Sequence, residues 1–253
     1  IVYGDSIVWG GTLTDQKNLS TEILKTLLNK DDNQFEVGNI SAGSWGPGNW
    51  LAHVRERGIF SADLVILVIS SHDWNDNPKY GSLKDNVNFP TKKPLNASSE
   101  LINRYLLPKI RSSIEKFIRI SGKKEVFSRN SPEKDKNIYK KSNRGLADLE
   151  EYIDLIRAKG TEIAVLQFWD KEEFESNKPK LGNLLINNVL TRKNITSLQS
   201  IDKFKLCSKE SKFLYYDDIH PYTKTGMQCL GEALYDLVKQ TKAYQNNKYN
   251  SVK

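Results

Sequence analysis

The sequence has few of the residues that mark metal centres and disulfide-rich folds. Its 253 residues include two cysteines, Cys207 and Cys229, and three histidines, His53, His72 and His220. Neither cysteine belongs to a Cys-x-x-Cys pair and the histidines are scattered, so the sequence offers neither a disulfide framework nor a zinc signature. We therefore expect two reduced thiols and no metal.

Several motifs of cofactor-binding and hydrolytic folds are also missing. The sequence has no Gly-x-Ser-x-Gly elbow of the α/β-hydrolases and no Gly-x-x-x-x-Gly-Lys-Ser/Thr phosphate loop. The glycine-rich stretch Gly43-Ser44-Trp45-Gly46-Pro47-Gly48 lacks the spacing of a dinucleotide-binding loop. We therefore expect no organic cofactor.

The composition is that of a globular protein with a basic surface. Hydrophobic residues make up 38% of the chain, charged residues make up 27%, and the formal net charge is +7. This charge favours acidic partners, but no nucleic-acid-binding motif accompanies it, and no apolar run reaches the ~18 residues of a membrane span. The chain does not begin with methionine, so the sequence leaves open a cytoplasmic protein and an exported one whose signal was removed.

The length suits one domain, and two polar stretches interrupt its pattern. Residues 75–97 contain three prolines, and residues 121–144 carry eight Lys/Arg against three Asp/Glu. We interpret residues 1–253 as a single domain with polar insertions near 75–97 and 121–144. The second insertion is either a solvated connector or a basic lip over an anionic substrate.

Apolar runs alternate with helical patterns, which predicts an α/β fold. The run Leu64–Ile69 is apolar at every position, as expected of a parallel strand that is covered on both faces. We therefore predict three layers, α/β/α, around a central, mostly parallel sheet. The predicted strands are Ile1–Gly4, Phe35–Ile40, Leu64–Ser70, Thr161–Phe168 and Phe213–Tyr216. The predicted helices are Thr21–Asn29, Trp50–Arg57, Ser99–Ile120, Leu146–Ala158 and Thr225–Lys239.

The two ends of the chain carry the residue types of a nucleophilic site. Ser6 directly follows the first predicted strand, at the edge where an open parallel sheet binds its ligands. Asp217 and His220 follow the last predicted strand. A nucleophilic serine needs a base that takes its proton, and the base needs an acid that orients it. Asp217 and His220 can supply both from one loop, with Asp218 as the alternative acid.

This arrangement resembles the SGNH (GDSL-type) hydrolases in the order and placement of four sequence blocks. The resemblance implies the flavodoxin-like fold of that family and a catalytic triad of Ser6, Asp217 and His220. It also implies an oxyanion hole to which the backbone N–H groups of Ser6 and Gly43 contribute, and it implies no cofactor. The four blocks are Gly4-Asp5-Ser6-Ile7, Ser41-Ala42-Gly43, Ser70-Ser71-His72-Asp73 and Asp217-x-x-His220-Pro221.

One block departs from the pattern of the family. The third block of SGNH hydrolases usually reads Gly-x-Asn-Asp, and its asparagine donates to the oxyanion, whereas His72 occupies that position here. An imidazole N–H can also donate one hydrogen bond, so His72 is the first candidate for the third oxyanion donor. Asn49 and Asn75, in neighbouring segments, are the alternatives.

Tryptophans cluster around the same blocks and point to the substrate. Aromatic rings suit the apolar C–H faces of sugars, so we expect four of them to bind substrate: Trp9, Trp45, Trp74 and Trp169. Together with the positive charge, they favour a small acyl ester, acetyl in the first place, on a carbohydrate that can be an acidic polysaccharide. The polar insertions argue against a long acyl chain.

Three functions remain open on the sequence alone. The first is a carbohydrate esterase that forms an acyl-Ser6 intermediate. The second is a carbohydrate O-acetyltransferase that uses the same serine but excludes water. The third is a non-catalytic carbohydrate-binding module, which is suggested by the unusual His72.

Overall fold

The computed structural model describes residues 1–30, 34–76, 95–107, 109–110 and 144–250. They fall into two units, one made of Ile1–Pro78 with Ser142–Lys253 and the other of Lys79–Lys141. The insertions predicted near 75–97 and 121–144 lie almost wholly outside the described residues. The single domain with two insertions therefore stays a prediction.

The first unit is built on five parallel strands in the order β2-β1-β3-β4-β5. Tyr3 lies between Ile40 of one neighbouring strand and Leu67 of the other. Because all the strands run the same way, their carboxyl ends meet at one edge, and the chain switches direction across the sheet at β1 and β3. The strands are β1 (Val2–Gly4), β2 (Asn39–Ser41), β3 (Leu64–Ser70), β4 (Glu162–Phe168) and β5 (Thr196–Gln199).

Helices of the first unit cover both faces of the sheet and confirm the three predicted layers. In chain order they are α1 (Ser6–Trp9), α2 (Ser20–Leu28), α3 (Pro47–Arg57), α5 (Arg144–Ala158), α6 (Lys171–Ser176), α7 (Leu181–Arg192), α8 (Ser200–Cys207), α9 (Thr225–Val238) and α10 (Lys242–Asn250). The second unit contains α4 (Ala97–Leu101), which continues as a π-helical turn over Ile102–Leu106.

The side chains of β3 explain how the sheet is covered. Ile66 and Val68 join one buried cluster with residues of α2, α8 and α9, whereas Val65, Leu67 and Ile69 join another with residues of α3, α5 and α7. Successive side chains of a strand point to opposite faces, so an uninterrupted apolar run fits a strand that is buried on both. The prediction made from the Leu64–Ile69 run is confirmed.

The predicted strand Phe213–Tyr216 is wrong. Tyr215 makes an isolated antiparallel bridge with Pro221, while Phe213 and Tyr216 are exposed, so this segment forms one side of a turn. The fifth strand of the sheet is instead β5, whose Thr-Ser-Leu-Gln sequence contains one apolar residue and therefore gave no apolar run. Of the predicted strand Phe35–Ile40, only the last two residues lie in a strand, which is β2 and continues to Ser41.

The predicted helices differ from the structure mainly by omission. The helices Thr21–Asn29, Trp50–Arg57, Leu146–Ala158 and Thr225–Lys239 correspond to α2, α3, α5 and α9, with ends shifted by up to three residues. The predicted helix Ser99–Ile120 corresponds to α4 and the turn after it, and beyond residue 110 it lies outside the described residues. Helix α7 was missed because its Leu-Gly-Asn-Leu-Leu-Ile-Asn-Asn sequence is rich in residues of low helix propensity.

In the part of the chain that the structure describes, no helix combines the length and the apolar character that crossing a membrane requires.

The cysteines correct another expectation, because they form a disulfide and are not reduced thiols. Cys207 ends α8 and Cys229 lies in α9, with their Cα atoms 6.3 Å apart. The two helices pack side by side, which the 22-residue spacing in the sequence could not reveal. The loop that the bridge closes contains Asp217 and His220, so the disulfide ties down both ends of the segment that carries them.

Replacing both cysteines by serine should lower the free energy of unfolding by about 3 kcal/mol. Without the bridge, the unfolded chain is no longer held in a closed loop, and for a loop of this length the entropy that it gains is worth about that much. Urea unfolding of the oxidised protein and of the Cys207→Ser/Cys229→Ser variant measures the difference. The reduced wild type should unfold like the variant. Equal stability of the oxidised protein and the variant would contradict the bridge.

Candidate active site

Ser6 is the first residue of α1, immediately beyond the end of β1. The helix turns back over the strand so tightly that a Cβ atom on Gly4 would lie 2.4 Å from Cγ2 of Val8, which requires glycine at that position. The helix ends at Gly10, where the backbone has a φ of 70°. Ile7 and Val8 are buried, so the core fixes the turn that presents Ser6.

Asp5 holds the start of this helix. Its Oδ1 accepts a hydrogen bond of 2.8 Å from the N–H of Ile7, and the residue is 3% exposed. This is an N-cap, which stabilises the free N–H groups at a helix start. The Ser6 hydroxyl itself makes no hydrogen bond to any residue that the structure describes.

Gly43 lies beside the same helix. It belongs to the exposed loop after β2, and a Cβ atom there would lie 3.3 Å from Cζ3 of Trp9. Ser41, at the end of β2, is paired with Gly4 at the end of β1. The structure therefore brings the first and second sequence blocks together, as the sequence predicted.

Asn49 lies in the first turn of α3, which begins beside the end of β1. The indole Nε1 of its neighbour Trp50 donates a 3.0 Å hydrogen bond to the carbonyl oxygen of Gly4. The Oδ1 of Asn49 accepts a hydrogen bond from the N–H of Gly46 at 3.2 Å. Its Nδ2 donates to no described residue, so this amide is held by its oxygen with its N–H groups unused.

His72 is held differently from what the sequence suggested. Its Nδ1 lies 2.7 Å from Oγ of Ser70, and its Nε2 lies 3.1 Å from Oδ2 of Asp5. Both ring nitrogens are therefore engaged within the protein. To donate to an oxyanion, His72 would first have to leave one of these partners.

The acidic surroundings of His72 favour its charged form. Burial lowers the pKa of the imidazole, but the hydrogen bond to Asp5 and the charges of Asp73, Asp5 and Asp76 outweigh that effect and raise the pKa of His72 to about 9. Asp73 is 1% exposed, and burial raises the pKa of its carboxyl to about 7 against the opposing charge of His72. An imidazolium ion thus balances the carboxylates beside Ser6.

Asp5, His72 and Asp73 also form the only group of possible metal ligands among the described residues, with ligand atoms within 4.8 Å of one another. Most of its ligand atoms already have partners within the protein, although Oδ1 of Asp73 is buried without a hydrogen bond and lies 3.7 Å from Nε2 of His72. Oδ2 of Asp73 accepts from the N–H of Ser70 at 2.8 Å, and Asp5 caps α1. We therefore describe it as an ion-paired cluster and assign no metal to it.

Asp217 and His220, the predicted acid and base, are in hydrogen-bond contact with each other. Nδ1 of His220 lies 2.8 Å from Oδ2 of Asp217, while Oδ1 of Asp217 accepts from the N–H groups of Ile219 and His220 at 2.8 and 2.7 Å. Burial raises the pKa of Asp217, but these hydrogen bonds outweigh it and hold the pKa below its usual range. A carboxylate on Nδ1 leaves Nε2 of His220 as the basic nitrogen.

Asp218, the alternative acid, contacts another segment through its backbone. Its carbonyl oxygen accepts a 3.0 Å hydrogen bond from the N–H of Lys171, just beyond β4. The phenol of Tyr215 donates to the carbonyl oxygen of Trp169 at 2.9 Å. Two hydrogen bonds thus fasten the loop that carries Asp217 and His220 to the carboxyl end of β4.

Ser6 directly follows β1, and the loop that carries His220 is fastened just beyond β4, so both belong to the carboxyl edge of the sheet, where β1 and β4 flank β3. The residues next to them share one buried cluster, since Ile219 packs against the cluster that contains Ile7. No hydrogen bond joins the Ser6 hydroxyl to the His220 imidazole in the structure. Their pairing across the edge stays a prediction.

The tryptophans that were expected to bind substrate differ in exposure. Trp9 is 50% exposed, whereas Trp169 is 8% exposed and donates through Nε1 to Oε1 of Gln199 at 2.7 Å. Trp45 and Trp74 are partly buried against the cluster under α3 and α5. Trp9 is thus the indole with the largest surface open to a ligand, and Trp169 braces the end of β4 against β5.

Several solved structures are similar to this chain over most of its length. TesA matches with a TM-score of 0.52 and 13% identity over 94% of this chain and 96% of that chain. The esterase EstA from Pseudoalteromonas sp. matches with a TM-score of 0.52 and 10% identity over 94% and 97%. A catalytic mutant of Axe2, an acetylxylan esterase from Geobacillus stearothermophilus, matches with a TM-score of 0.50 and 12% identity over 93% and 91%.

These neighbours are SGNH hydrolases. The chain has the SGNH-hydrolase fold. At such low identities the likeness establishes the fold alone. No protein-family model and no curated protein matches the sequence.

Within this SGNH fold, the network around His72 is the feature that sequence reasoning missed. The position that is usually asparagine in SGNH hydrolases carries an imidazole that spans from Ser70 to Asp5, the cap of α1. Asp5 both caps α1 and contacts this imidazole. The sequence signal that could have revealed this network is a pair of aspartates, Asp5 and Asp73, in two blocks that the parallel sheet brings side by side.

The raised pKa of His72 makes stability depend on pH. Because the folded state holds this proton more tightly than the unfolded chain, the contribution is complete below about pH 6.5 and is lost as pH rises through about 9. Nuclear magnetic resonance should show His72 titrating near pH 9. In Asp5→Asn, which keeps the cap but removes the charge, the midpoint should fall. A midpoint at or below 6.5 in the wild type would contradict this account.

Proposed function

We propose that this protein is a serine esterase that removes a small acyl group, acetyl in the first place, from a carbohydrate through an acyl-Ser6 intermediate. The observation that carries the proposal is the geometry of Asp217 and His220. The carboxylate of Asp217 is aligned by two backbone N–H groups and by the imidazole, at the same sheet edge as the Ser6 hydroxyl, which no described residue hydrogen-bonds. Such an arrangement suits nucleophilic acyl transfer.

The proposed reaction uses each residue for one task. Nε2 of His220 takes the proton of Ser6 as the serine oxygen attacks the ester carbonyl. Asp217 keeps the imidazole in the tautomer with the proton on Nδ1 and stabilises the imidazolium that forms. The imidazolium then protonates the departing sugar oxygen, and water, activated by the same base, releases the acid from Ser6.

The oxyanion is stabilised by the backbone N–H groups of Ser6 and Gly43 and by a side-chain donor. We assign that third donor to Asn49, because its Nδ2 has no described partner while its Oδ1 is fixed by Gly46. Both nitrogens of His72 are already engaged. Preorganised donors of this kind stabilise developing charge because they need no rearrangement during the reaction.

The substrate class is supported by the surroundings of Ser6. Trp9 presents a half-exposed aromatic surface one helical turn away, and the cavity that it lines is mostly polar rather than an apolar groove for a long acyl chain. Axe2, one of the structural neighbours, is described as an acetylxylan esterase. The Cys207–Cys229 disulfide favours an oxidising compartment, where extracellular polysaccharides would be encountered.

Replacing Ser6 by alanine should lower the turnover of p-nitrophenyl acetate by at least about 1,000-fold, because the nucleophile is lost. Ser208→Ala is the matched control, since that hydroxyl donates to the carbonyl oxygen of Lys205 on the outside of the molecule. Steady-state kinetics of both variants and the wild type measure the effect.

The outcomes separate the functions that the sequence left open. Background turnover in the wild type and in Ser6→Ala would refute the esterase and favour a binding module. Ser6-dependent transfer of acetyl to an added oligosaccharide, followed by mass spectrometry, would show that the protein is a transferase and not a hydrolase.

Asn49→Asp should lower kcat by about 100-fold, because the variant keeps the oxygen that caps α3 but loses the N–H donor. Its melting temperature should stay near that of the wild type, which separates catalysis from folding. His72→Gln should reduce kcat by less than Asn49→Asp does. If His72→Gln lowers kcat more than Asn49→Asp does, the third donor is His72 and not Asn49.

A further inference from the structure

A second feature lies beside Ser6, on the side of β2. A cavity of about 540 Å³ opens between the end of α1, the start of α2 and the end of β2. This volume falls within the range of small-molecule sites. Its lining includes Trp9, Thr14, Gln16, Glu22, Asn39 and Ser41.

The Trp9 indole forms an aromatic wall that two glycines support. Cβ atoms on Gly11 and Gly43 would lie 3.2 and 3.3 Å from Cζ3 of the ring, so larger residues at these positions would crowd it. The glycines allow the backbone to pack against the ring, while half of the residue surface remains exposed. A supported and exposed indole can stack on the apolar C–H face of a sugar ring.

The opposite wall is polar and ordered. Nε2 of Gln16 donates a 2.7 Å hydrogen bond to Oε1 of Glu22. The amide of Asn39 donates to the carbonyl oxygen of Val8 at 3.2 Å, and its oxygen accepts from the hydroxyl of Ser41. The remaining oxygens of Gln16, Glu22 and Ser41 are hydrogen-bond acceptors, which suit the hydroxyl donors of a sugar.

The cavity adjoins the nucleophile. Ser6 and Trp9 are three residues apart on one helical turn, which places their side chains on neighbouring positions about 5–6 Å apart at Cβ. A ligand in the cavity would therefore lie directly next to a group bound at Ser6.

We propose that this cavity binds a neutral sugar residue adjacent to the acylated sugar of the substrate. The proposal rests on the esterase function proposed above and defines its substrate more closely. Among the described residues that line the cavity, Glu22 alone is charged, and its carboxylate repels a uronate. At this position the site selects against an acidic polysaccharide, although the net charge of the whole chain is +7.

Calorimetric titration of the protein with xylotetraose and with tetragalacturonate tests the proposal. Xylotetraose should bind at least about fivefold more tightly, and Glu22→Gln should reduce this preference, because the repulsion is removed. Trp9→Ala should weaken xylotetraose binding by at least about tenfold. Gln16→Ala changes an exposed side chain and should weaken it without affecting folding.

Phe60→Ala is the matched control, since this exposed aromatic residue precedes β3 at the opposite edge of the sheet. It should bind xylotetraose like the wild type. The proposal is overturned if neither oligosaccharide shows saturable binding, if tetragalacturonate binds more tightly, or if Phe60→Ala loses as much affinity as Trp9→Ala.

The hydrolysis of p-nitrophenyl acetate separates the two proposals. If the protein hydrolyses the ester through Ser6 but does not bind xylotetraose, the proposed sugar subsite is refuted and the proposed esterase function stands. If the protein binds xylotetraose through Trp9 but shows no Ser6-dependent hydrolysis, the proposed esterase function is refuted.

Discussion

The position of β1 between β2 and β3 is the constraint on which the candidate site depends. Parallel pairing on both sides brings the ends of three strands together, and each end continues into a different part of the site. β1 leads to Ser6, β2 to the loop with Gly43, and β3 to His72. The loop with His220 is then fastened to the end of β4, two strands from β1. A site assembled from distant segments thus depends on hydrogen bonds within the sheet.

Charge balance at this edge rests on Asp5. Its two oxygens act separately, one as the cap of α1 and the other as the partner of His72. Because Asp5 and Asp73 are both buried, a neutral asparagine in place of His72 would leave them with less compensation. The imidazolium supplies this compensation at the position where the resemblance to SGNH hydrolases would place an asparagine. Because both ring nitrogens of His72 are engaged, we propose that a neighbouring side chain is the oxyanion donor.

Sequence patterns predicted the central features, and three-dimensional packing determined the rest. The apolar run of β3 and the order of the four blocks sufficed for the fold, because parallel strands bring their ends to one edge. The polar edge strand β5, with a single leucine, had no pattern to detect. The Cys207–Cys229 bridge depends on two helices packing side by side, and spacing does not report that. The partners of His72 depend on side-chain orientation, which a motif does not encode.

In the proposed mechanism, a hydroxyl near the start of the chain and an imidazole near its end act as one nucleophilic unit. Covalent labelling with a fluorophosphonate probe, followed by peptide mass spectrometry, tests it most directly, since only an activated serine reacts rapidly. The account predicts one label per chain, on the peptide that contains Ser6, and its loss in His220→Ala. A label on another residue, or an equal label in His220→Ala, would contradict it.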